Sequence, residues 1–338
     1  MALELRRPTL LPVARLVLTG ATLVAVGAVG AIARGPERRV PEPEVRIPAL
    51  EDDALIARDG ARLPCAAWLP PEGREPETLL LGLHNFGDYR AAFNLAGPWF
   101  AERGVALYAY DQRGFGATAS RGTWAGAEAM MRDLSDAVRA LRRRHPGRAP
   151  LYVVGESMGG AVALAGLSRG AVAGIDGLIL IAPSVREGVP LRTAHDVGVW
   201  IGASAVPWVR VEMPRGNRPW QHPDESRRLA TDPLVLREVR ADTYWGLTEL
   251  CNLASDHAGA VTVPTLLIHG ERDRTVSRVA IASLARRLGG PVTTVWYPTR
   301  YHLPLHERDA EEVFTNILMW LERSHAGRRS VVEGSRAP

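Results

Sequence analysis

A serine placed between a strand and a helix is the feature that most constrains this 338-residue chain. The serine is Ser157, in the segment GESMGG at 155–160. Residues 150–154 before it are apolar and β-prone, and residues 160–167 after it are small helix formers. In this context the spacing G-x-S-x-G is typical of a sharp turn that lifts a hydroxyl above the end of a sheet, at a helix N-terminus. The pattern therefore predicts nucleophilic catalysis by Ser157.

Strand-like and helix-like segments alternate on both sides of this turn. Apolar runs that suit buried strands occur at 79–83, 105–110, 178–181, 264–268 and 292–296. Amphipathic helical stretches separate these runs, and a hairpin with Asp59-Gly60 at its turn precedes them. Continuous apolar strands between amphipathic helices indicate a parallel sheet that is covered on both faces. We therefore expect an α/β fold with a mostly parallel, doubly wound sheet.

The alternation stops between residues 186 and 260. This segment lacks strand-like runs and contains four of the nine tryptophans, namely Trp200, Trp208, Trp220 and Trp245. We expect a helical insertion there, whose tryptophans either form its own core or line an apolar substrate channel. The predicted boundaries are 51–185 and 261–323 for the sheet domain, 186–260 for the insertion and 324–338 for a polar, disordered tail.

The N-terminal segment, residues 1–33, has the pattern of a signal peptide or a membrane anchor. Its last eighteen residues, 16–33, carry no charge. An apolar segment of this length is at the lower limit for a helix that spans a bilayer. A signal peptide would be cleaved near Ala33, whereas an anchor would keep the preceding arginines inside. A proline-rich linker follows at 34–50. We expect the catalytic domain to lie outside the cytoplasm, either anchored to the membrane or secreted after cleavage.

Composition narrows the range of partners and of cysteine chemistry. The net charge is +4, and all 41 basic residues are arginines, dispersed without a basic stripe, so nucleic-acid binding is not expected. Cys65 and Cys251 are far apart in sequence and have neither metal-binding nor redox spacing. We expect two buried thiols, with a single disulfide as the alternative in an exported protein.

A serine nucleophile needs a base, and the base needs an acid to orient it. In a parallel sheet these groups come from loops at the carboxyl ends of strands. His302 follows the last strand-like run, and Asp273 follows the run before it. We predict His302 as the base and Asp273 as the acid, with His306 and Glu271 as the alternatives.

The negative oxygen of a tetrahedral intermediate needs backbone donors. The N–H of Met158, directly after the nucleophile, is one predicted donor. The second is expected from the loop after the first of the parallel strands, residues 84–88, which we call the oxyanion loop. Within it the N–H of Phe86 is the predicted donor.

These segments together resemble the α/β-hydrolase superfamily, in particular its branch of lysophospholipases, monoacylglycerol lipases and serine aminopeptidases. The resemblance covers about residues 50–323 and rests on five segments in the same order, 84–88, 111–116, 155–160, 270–276 and 301–302. It implies a Ser–Asp–His triad, a helical cap formed by the insertion, and no cofactor or metal. One residue departs from the pattern, because the family usually has glycine where this chain has Asn85. Asparagine tolerates positive φ better than most residues do.

The resemblance, the apolar insertion and the expected location predict a serine hydrolase of carboxylic esters. Lysophospholipids or monoacylglycerols are the expected substrates, and the oligomeric state is left open. A serine aminopeptidase of the same fold is one alternative. It would need a carboxylate cluster that binds a free α-amine, for which Asp224, Glu225 and Asp232 are available. A non-catalytic scaffold of the same fold is the other alternative.

Overall fold

The computed structural model describes residues 46–334, except residues 148, 187, 188, 214, 216 and 217. The predicted N-terminal segment 1–33 and most of the linker 34–50 lie outside the described residues. In the described ranges, no helix combines the length and the apolar character that crossing a bilayer requires.

A nine-stranded sheet organises the chain. Its strands are β1 (Ala49–Leu50), β2 (Ala54–Ile56), β3 (Arg62–Trp68), β4 (Thr78–Leu83), β5 (Val105–Tyr110), β6 (Leu151–Glu156), β7 (Gly177–Ile181), β10 (Thr265–Gly270) and β11 (Val292–Tyr297), with β8 and β9 in the insertion. The first three strands are antiparallel, and the predicted hairpin pairs Ile56 of β2 with Arg62 of β3. The others run parallel in the order β5-β4-β6-β7-β10-β11. The predicted, mostly parallel sheet is confirmed.

The parallel part of the sheet is covered on both faces. Along β4, Leu79 and Leu81 belong to the apolar cluster on one face and Leu80 to the cluster on the other. The first face packs against α2 (Ala127–Arg144), α3 (Met158–Ser168), α6 (Ala241–Asp256) and α7 (Arg278–Arg287), and the second against α1 (Ala96–Ala101) and α8 (Ala310–Gly334). Burial on both faces explains why these strands are continuous apolar runs in the sequence.

The parallel register brings four loops to one edge of the sheet. Leu83 at the end of β4 pairs with Gly155 near the end of β6, and Gly270 at the end of β10 pairs with Tyr297 at the end of β11. The oxyanion loop, the turn of Ser157 and the loops that follow β10 and β11 therefore begin at the same edge. This is the edge at which open parallel sheets carry their sites.

The insertion contains helices, as expected, and also a small ribbon that the sequence did not predict. Its helices are α4 (Val189–Ala205), α5 (Pro223–Thr231) and α6, and its strands are β8 (Arg210–Glu212) and β9 (Glu238–Arg240). Val211 pairs with Val239 in this antiparallel ribbon. Strands of three residues are too short to leave a periodic pattern in a sequence. Helix α6 packs on α3 of the sheet domain, so the insertion is anchored there.

Part of the tail at 324–338, for which the sequence predicts disorder, is helical in the structure. Helix α8 continues past Arg323 to Gly334, and the last four residues lie outside the described ones. At the start of this part, the ring of His325 stacks on Tyr152 with the centroids 5.9 Å apart, and Nε2 of His325 lies 3.4 Å from Oγ1 of Thr78. A polar composition concealed this contact with the sheet.

Two glycines test the packing with the same substitution. A Cβ on Gly82 in β4 would lie 2.7 Å from the buried ring of Phe93, whereas a Cβ on Gly198 in α4 would meet nothing within 4 Å. We expect Gly82→Ala to lower the free energy of unfolding by about 1–3 kcal/mol through overpacking. The control Gly198→Ala should raise it by about 0.4–1 kcal/mol. Denaturant unfolding followed by circular dichroism measures both, and equal effects would contradict the packing described.

Candidate active site

Ser157 lies at the turn between β6 and α3. Its φ is 49°, which is uncommon for a residue other than glycine. Its N–H donates to the carbonyl oxygen of Ile181 in β7 at 3.0 Å, and its own carbonyl oxygen accepts the N–H of Ser184 at 2.9 Å. These bonds hold the strained backbone that a turn of this kind requires.

Glycine is required on both sides of Ser157 because no side chain fits there. A Cβ on Gly155 would lie 2.6 Å from the backbone nitrogen of Gly160. A Cβ on Gly159 would overlap the carbonyl oxygen of Leu83 at the end of β4. Only glycine permits so close an approach of α3 to the strands. The same approach brings Phe86 of the oxyanion loop and Ser157 to one cavity.

The structure brings Ser157, His302 and Asp273 together in one hydrogen-bonded chain. Nε2 of His302 lies 2.9 Å from Oγ of Ser157, and Nδ1 lies 2.7 Å from Oδ2 of Asp273. Oδ1 of Asp273 accepts the N–H groups of Thr275 at 2.6 Å and Val276 at 3.1 Å. With Nδ1 donating to the carboxylate, Nε2 is the acceptor that faces the serine hydroxyl.

The surroundings of Asp273 keep its carboxylate ionised. Burial acts to raise the pKa of Asp273, but the hydrogen bonds from His302 and from the two backbone N–H groups lower it below the ordinary value. Nδ1 of the buried His269 lies 3.7 Å from Oδ2 of Asp273. Burial lowers the pKa of His269, which favours its neutral form. His302 is therefore the histidine that the carboxylate orients.

Ser184 is a neighbour of Ser157 that sequence reasoning missed. Its Oγ lies 2.9 Å from Oγ of Ser157, and the side chain is nearly buried. It follows β7, the strand beside β6, two residues after Ala182, whose φ is 41°. Its place just after the neighbouring parallel strand is the signal that could have found it. The contact gives the Ser157 hydroxyl a second hydrogen-bond partner.

The two predicted oxyanion donors come from two separate segments near Ser157. Met158 is the first residue of α3, where backbone N–H groups have no acceptor within the helix. Phe86 lies in the oxyanion loop, in which Gly87 has the positive φ, 79°, and Asn85 does not. Asn85 instead donates through Nδ2 to Oδ2 of Asp88 at 3.2 Å. The departure at Asn85 therefore places a side-chain hydrogen bond in the loop rather than a residue with positive φ.

The alternative base, His306, has a different environment. It is buried, with Nδ1 2.8 Å from Oε2 of Glu225 and Nε2 3.0 Å from both oxygens of Glu156. Burial acts to lower the pKa of His306, but the two carboxylates outweigh it and raise the pKa to about 10. The alternative acid, Glu271, forms an ion pair with Arg278 at 3.1 Å. Neither alternative takes part in the chain that starts at Ser157.

A cavity of about 500 Å³ adjoins Ser157 and His302. Apolar residues of the insertion supply much of its wall, namely Val211, Met213, Leu229, Val239 and Leu247. Trp220 also lines it and stacks on Tyr301 with the ring centroids 3.7 Å apart. Trp200 and Trp208 are exposed instead, at 48% and 65%. Of the two roles considered for the tryptophans, the channel suits Trp220, and neither suits Trp200 and Trp208.

Among the described residues, no three or more His, Cys, Asp and Glu side chains are arranged to hold a metal ion. Cys65 and Cys251 do not form a disulfide with each other, and burial raises the pKa of Cys65 to about 12.

Comparison with known families shows to which family the chain belongs. The profile of the family described as serine aminopeptidase, S33, matches residues 74–309, which is more than half of the chain. The chain belongs to this family. The predicted α/β-hydrolase fold, and its branch with monoacylglycerol lipases and serine aminopeptidases, is thereby confirmed.

Individual relatives agree with this assignment. A monoacylglycerol lipase of Mycolicibacterium smegmatis is 26% identical over 274 residues, which cover 78% of this chain and 93% of that protein. A soluble variant of monoglyceride lipase from Saccharomyces cerevisiae superposes with a TM-score of 0.67 at 20% identity, over 86% of this chain and 99% of that one. For a thermostable carboxyl esterase from Bacillus coagulans the TM-score is 0.66 at 20% identity, over 81% and 98%. At these identities the two structures show the fold alone.

The buried cation at His306 predicts how stability depends on pH. Folding raises the pKa of this side chain from 6.5 to about 10, so its stabilising effect is complete below 6.5 and is lost as the pH rises towards 10. We expect the Tm of the protein to fall over this range more steeply than the Tm of His306→Gln. Thermal unfolding at graded pH measures this. His257→Gln, at an exposed histidine, is the control and should follow the parent protein; parallel curves for the parent and His306→Gln would contradict the prediction.

Proposed function

We propose that the protein is a serine hydrolase of carboxylic esters. The observation that supports this most directly is the chain of hydrogen bonds from Oγ of Ser157 through His302 to Asp273, at the wall of a cavity. A serine hydroxyl becomes a nucleophile when a base takes its proton and a carboxylate stabilises the resulting imidazolium. The order serine, aspartate, histidine along the chain agrees with this class of fold.

In the proposed reaction, Nε2 of His302 takes the proton of Ser157 as Oγ attacks the acyl carbon. The N–H groups of Phe86 and Met158 stabilise the negative oxygen of the tetrahedral intermediate. His302 then passes the proton to the leaving alcohol, and the acyl group stays on Ser157 as an ester. Water, deprotonated by His302, attacks this ester and releases the carboxylic acid and the free serine. Asp273 orients the imidazole in both halves of the reaction.

We propose that the substrate carries a medium or long acyl chain, as monoacylglycerols and lysophospholipids do. The apolar residues that the insertion places on the cavity wall support this, because cavities for small molecules are lined mainly by apolar groups that match the ligand. The activity in the name of the mycobacterial relative supports it as well. The volume of about 500 Å³ is in the range for a molecule of that size.

The aminopeptidase alternative finds less support in the insertion. Asp224 pairs with Arg227 on the surface, Glu225 pairs with His306 and Arg228, and Asp232 accepts the hydroxyl of Tyr89. None of these three carboxylates lines the cavity. Two other carboxylates, those of Glu212 and Glu307, do line the cavity, where a free α-amine would bind. The two activities are separated by comparing the rates of hydrolysis of aminoacyl p-nitroanilides and of p-nitrophenyl esters.

The nucleophile is tested by Ser157→Ala. We expect kcat for p-nitrophenyl esters to fall by about 10⁶, the cost of removing a serine nucleophile from such a triad. Ser168→Ala, at the opposite end of α3, is the matched control and should keep the activity. A fluorophosphonate probe should label the parent protein and the control, but not Ser157→Ala. Full ester hydrolysis by Ser157→Ala would refute the proposal, and absence of labelling in the folded parent protein would favour the non-catalytic scaffold.

We also propose that the N-terminal segment retains the protein at the membrane. The uncharged run at 16–33 and the arginines before it support this. N-terminal sequencing of protein from the membrane fraction is expected to find residues before 16. A chain that starts at Arg34 would show that a signal peptide is cleaved instead.

A further inference from the structure

The oxyanion loop is held by residues of the insertion. Nη1 of Arg215 donates to Oδ1 of Asn85 at 3.3 Å, and Nη2 donates to the carbonyl oxygen of Phe86. The N–H of Leu236 donates to the carbonyl oxygen of Gly87 at 2.8 Å. Three consecutive residues of the loop are therefore fixed from the insertion, and one of them is Phe86.

Arg228 of α5 makes the strongest of these connections. Its Nη1 lies 2.6 Å from Oδ1 of Asp88, and its Nη2 lies 3.0 Å from Oδ2, so the guanidinium meets the carboxylate as a fork. Asp88 has no exposed surface, and it also accepts the N–H of Tyr89 and the amide of Asn85. Although burial acts to raise the pKa of Asp88, Arg228 holds it well below its usual range. The Asp88 carboxylate thus accepts hydrogen bonds both from neighbouring residues of the same segment and from Arg228 of the insertion.

The same helix is also connected to the turn of the nucleophile. Glu225, one helical turn before Arg228, accepts Nη2 of Arg228 at 2.7 Å and Nδ1 of His306 at 2.8 Å. Nε2 of His306 lies 3.0 Å from Glu156, the residue before the nucleophile. These ion pairs form a chain of five side chains, each at most about one-tenth exposed, namely Glu156, His306, Glu225, Arg228 and Asp88. A buried ionic chain therefore links the two loops that supply the predicted oxyanion donors.

Stability is a weak reason for such a chain. Charged groups lose hydration on burial, and well-packed apolar residues often stabilise a fold as well or better. What a fork between arginine and carboxylate adds is a fixed distance and orientation. The geometry that it fixes here is that of Asp88, two residues after Phe86.

We propose that Arg228 is a positioning residue, which sets the N–H of Phe86 relative to Ser157 from within the insertion. This inference rests on the proposed ester hydrolysis. The donors of Phe86 and Met158 come from separate loops, and both must reach the same oxygen. A displacement of about 1 Å in such a group can cost about 10²-fold in rate. The seating of α5 and the stabilisation of the intermediate are therefore coupled.

The test compares Arg228→Gln with Arg227→Gln. Arg227 is the neighbouring residue on α5, its side chain is 73% exposed, and its ion pair with Asp224 lies on the surface. We expect Arg228→Gln to lower kcat for p-nitrophenyl butyrate by about 10- to 10²-fold, with KM within about twofold of the control. Arg228→Lys should lie between Arg228→Gln and the parent protein, because lysine keeps the charge but not the fork.

Each remaining outcome decides the inference. The inference is overturned if the kcat of Arg228→Gln is within about twofold of that of Arg227→Gln, or if Arg228→Gln changes KM alone. It is also overturned if Arg228→Lys has the kcat of the parent protein. If circular dichroism shows that Arg228→Gln does not fold, the kcat of Arg228→Lys decides by the same criterion, since a lysine still compensates the charge of Asp88. The proposed function fails separately, if the parent protein neither hydrolyses the ester nor reacts with a fluorophosphonate.

Discussion

The close approach of helix α3 to strands β4 and β6 is the constraint on which the candidate site depends. Gly155 and Gly159 permit it, because any side chain at either position would overlap backbone atoms of the neighbouring segments. The approach leaves Ser157 on a strained turn with φ 49° and places it beside the oxyanion loop. Hydrogen bonds to Ile181 and from Ser184 stabilise this strained conformation, so β7 and the loop after it hold Ser157 in place.

His302 and His306 are four residues apart in sequence, and their different hydrogen-bond partners suit them to different roles. His302 has one carboxylate at Nδ1 and a hydroxyl at Nε2, which leaves it able to exchange a proton with Ser157. His306 has a carboxylate at each ring nitrogen, and its raised pKa keeps it a cation at neutral pH. A base must give up its proton in each cycle, so the second arrangement suits connection rather than proton transfer.

The insertion contributes to the site in two ways. Its apolar side chains form much of the cavity wall, and its charged side chains, chiefly Arg215 and Arg228, hold the oxyanion loop. Helix α6 anchors this segment on α3, which itself begins directly after Ser157. The segment at 186–260 thus packs on the sheet domain and contacts the oxyanion loop, so the same insertion supplies both the apolar wall of the cavity and the side chains that contact the loop.

The sequence by itself determined the sheet, its direction and the chain order of Ser157, Asp273 and His302, because apolar period and strand-to-helix turns are local patterns. It also predicted a helical insertion at 186–260. Only the tertiary structure decided that Ser184 contacts Ser157, that α8 continues past Arg323, and that Glu156, His306, Glu225, Arg228 and Asp88 form one buried chain of ion pairs. These features join residues that are distant in sequence, and isolated charged residues look alike in a sequence whether they meet water or one another. Tertiary packing determines which partner a charged side chain contacts, and a local sequence pattern carries no information about that packing.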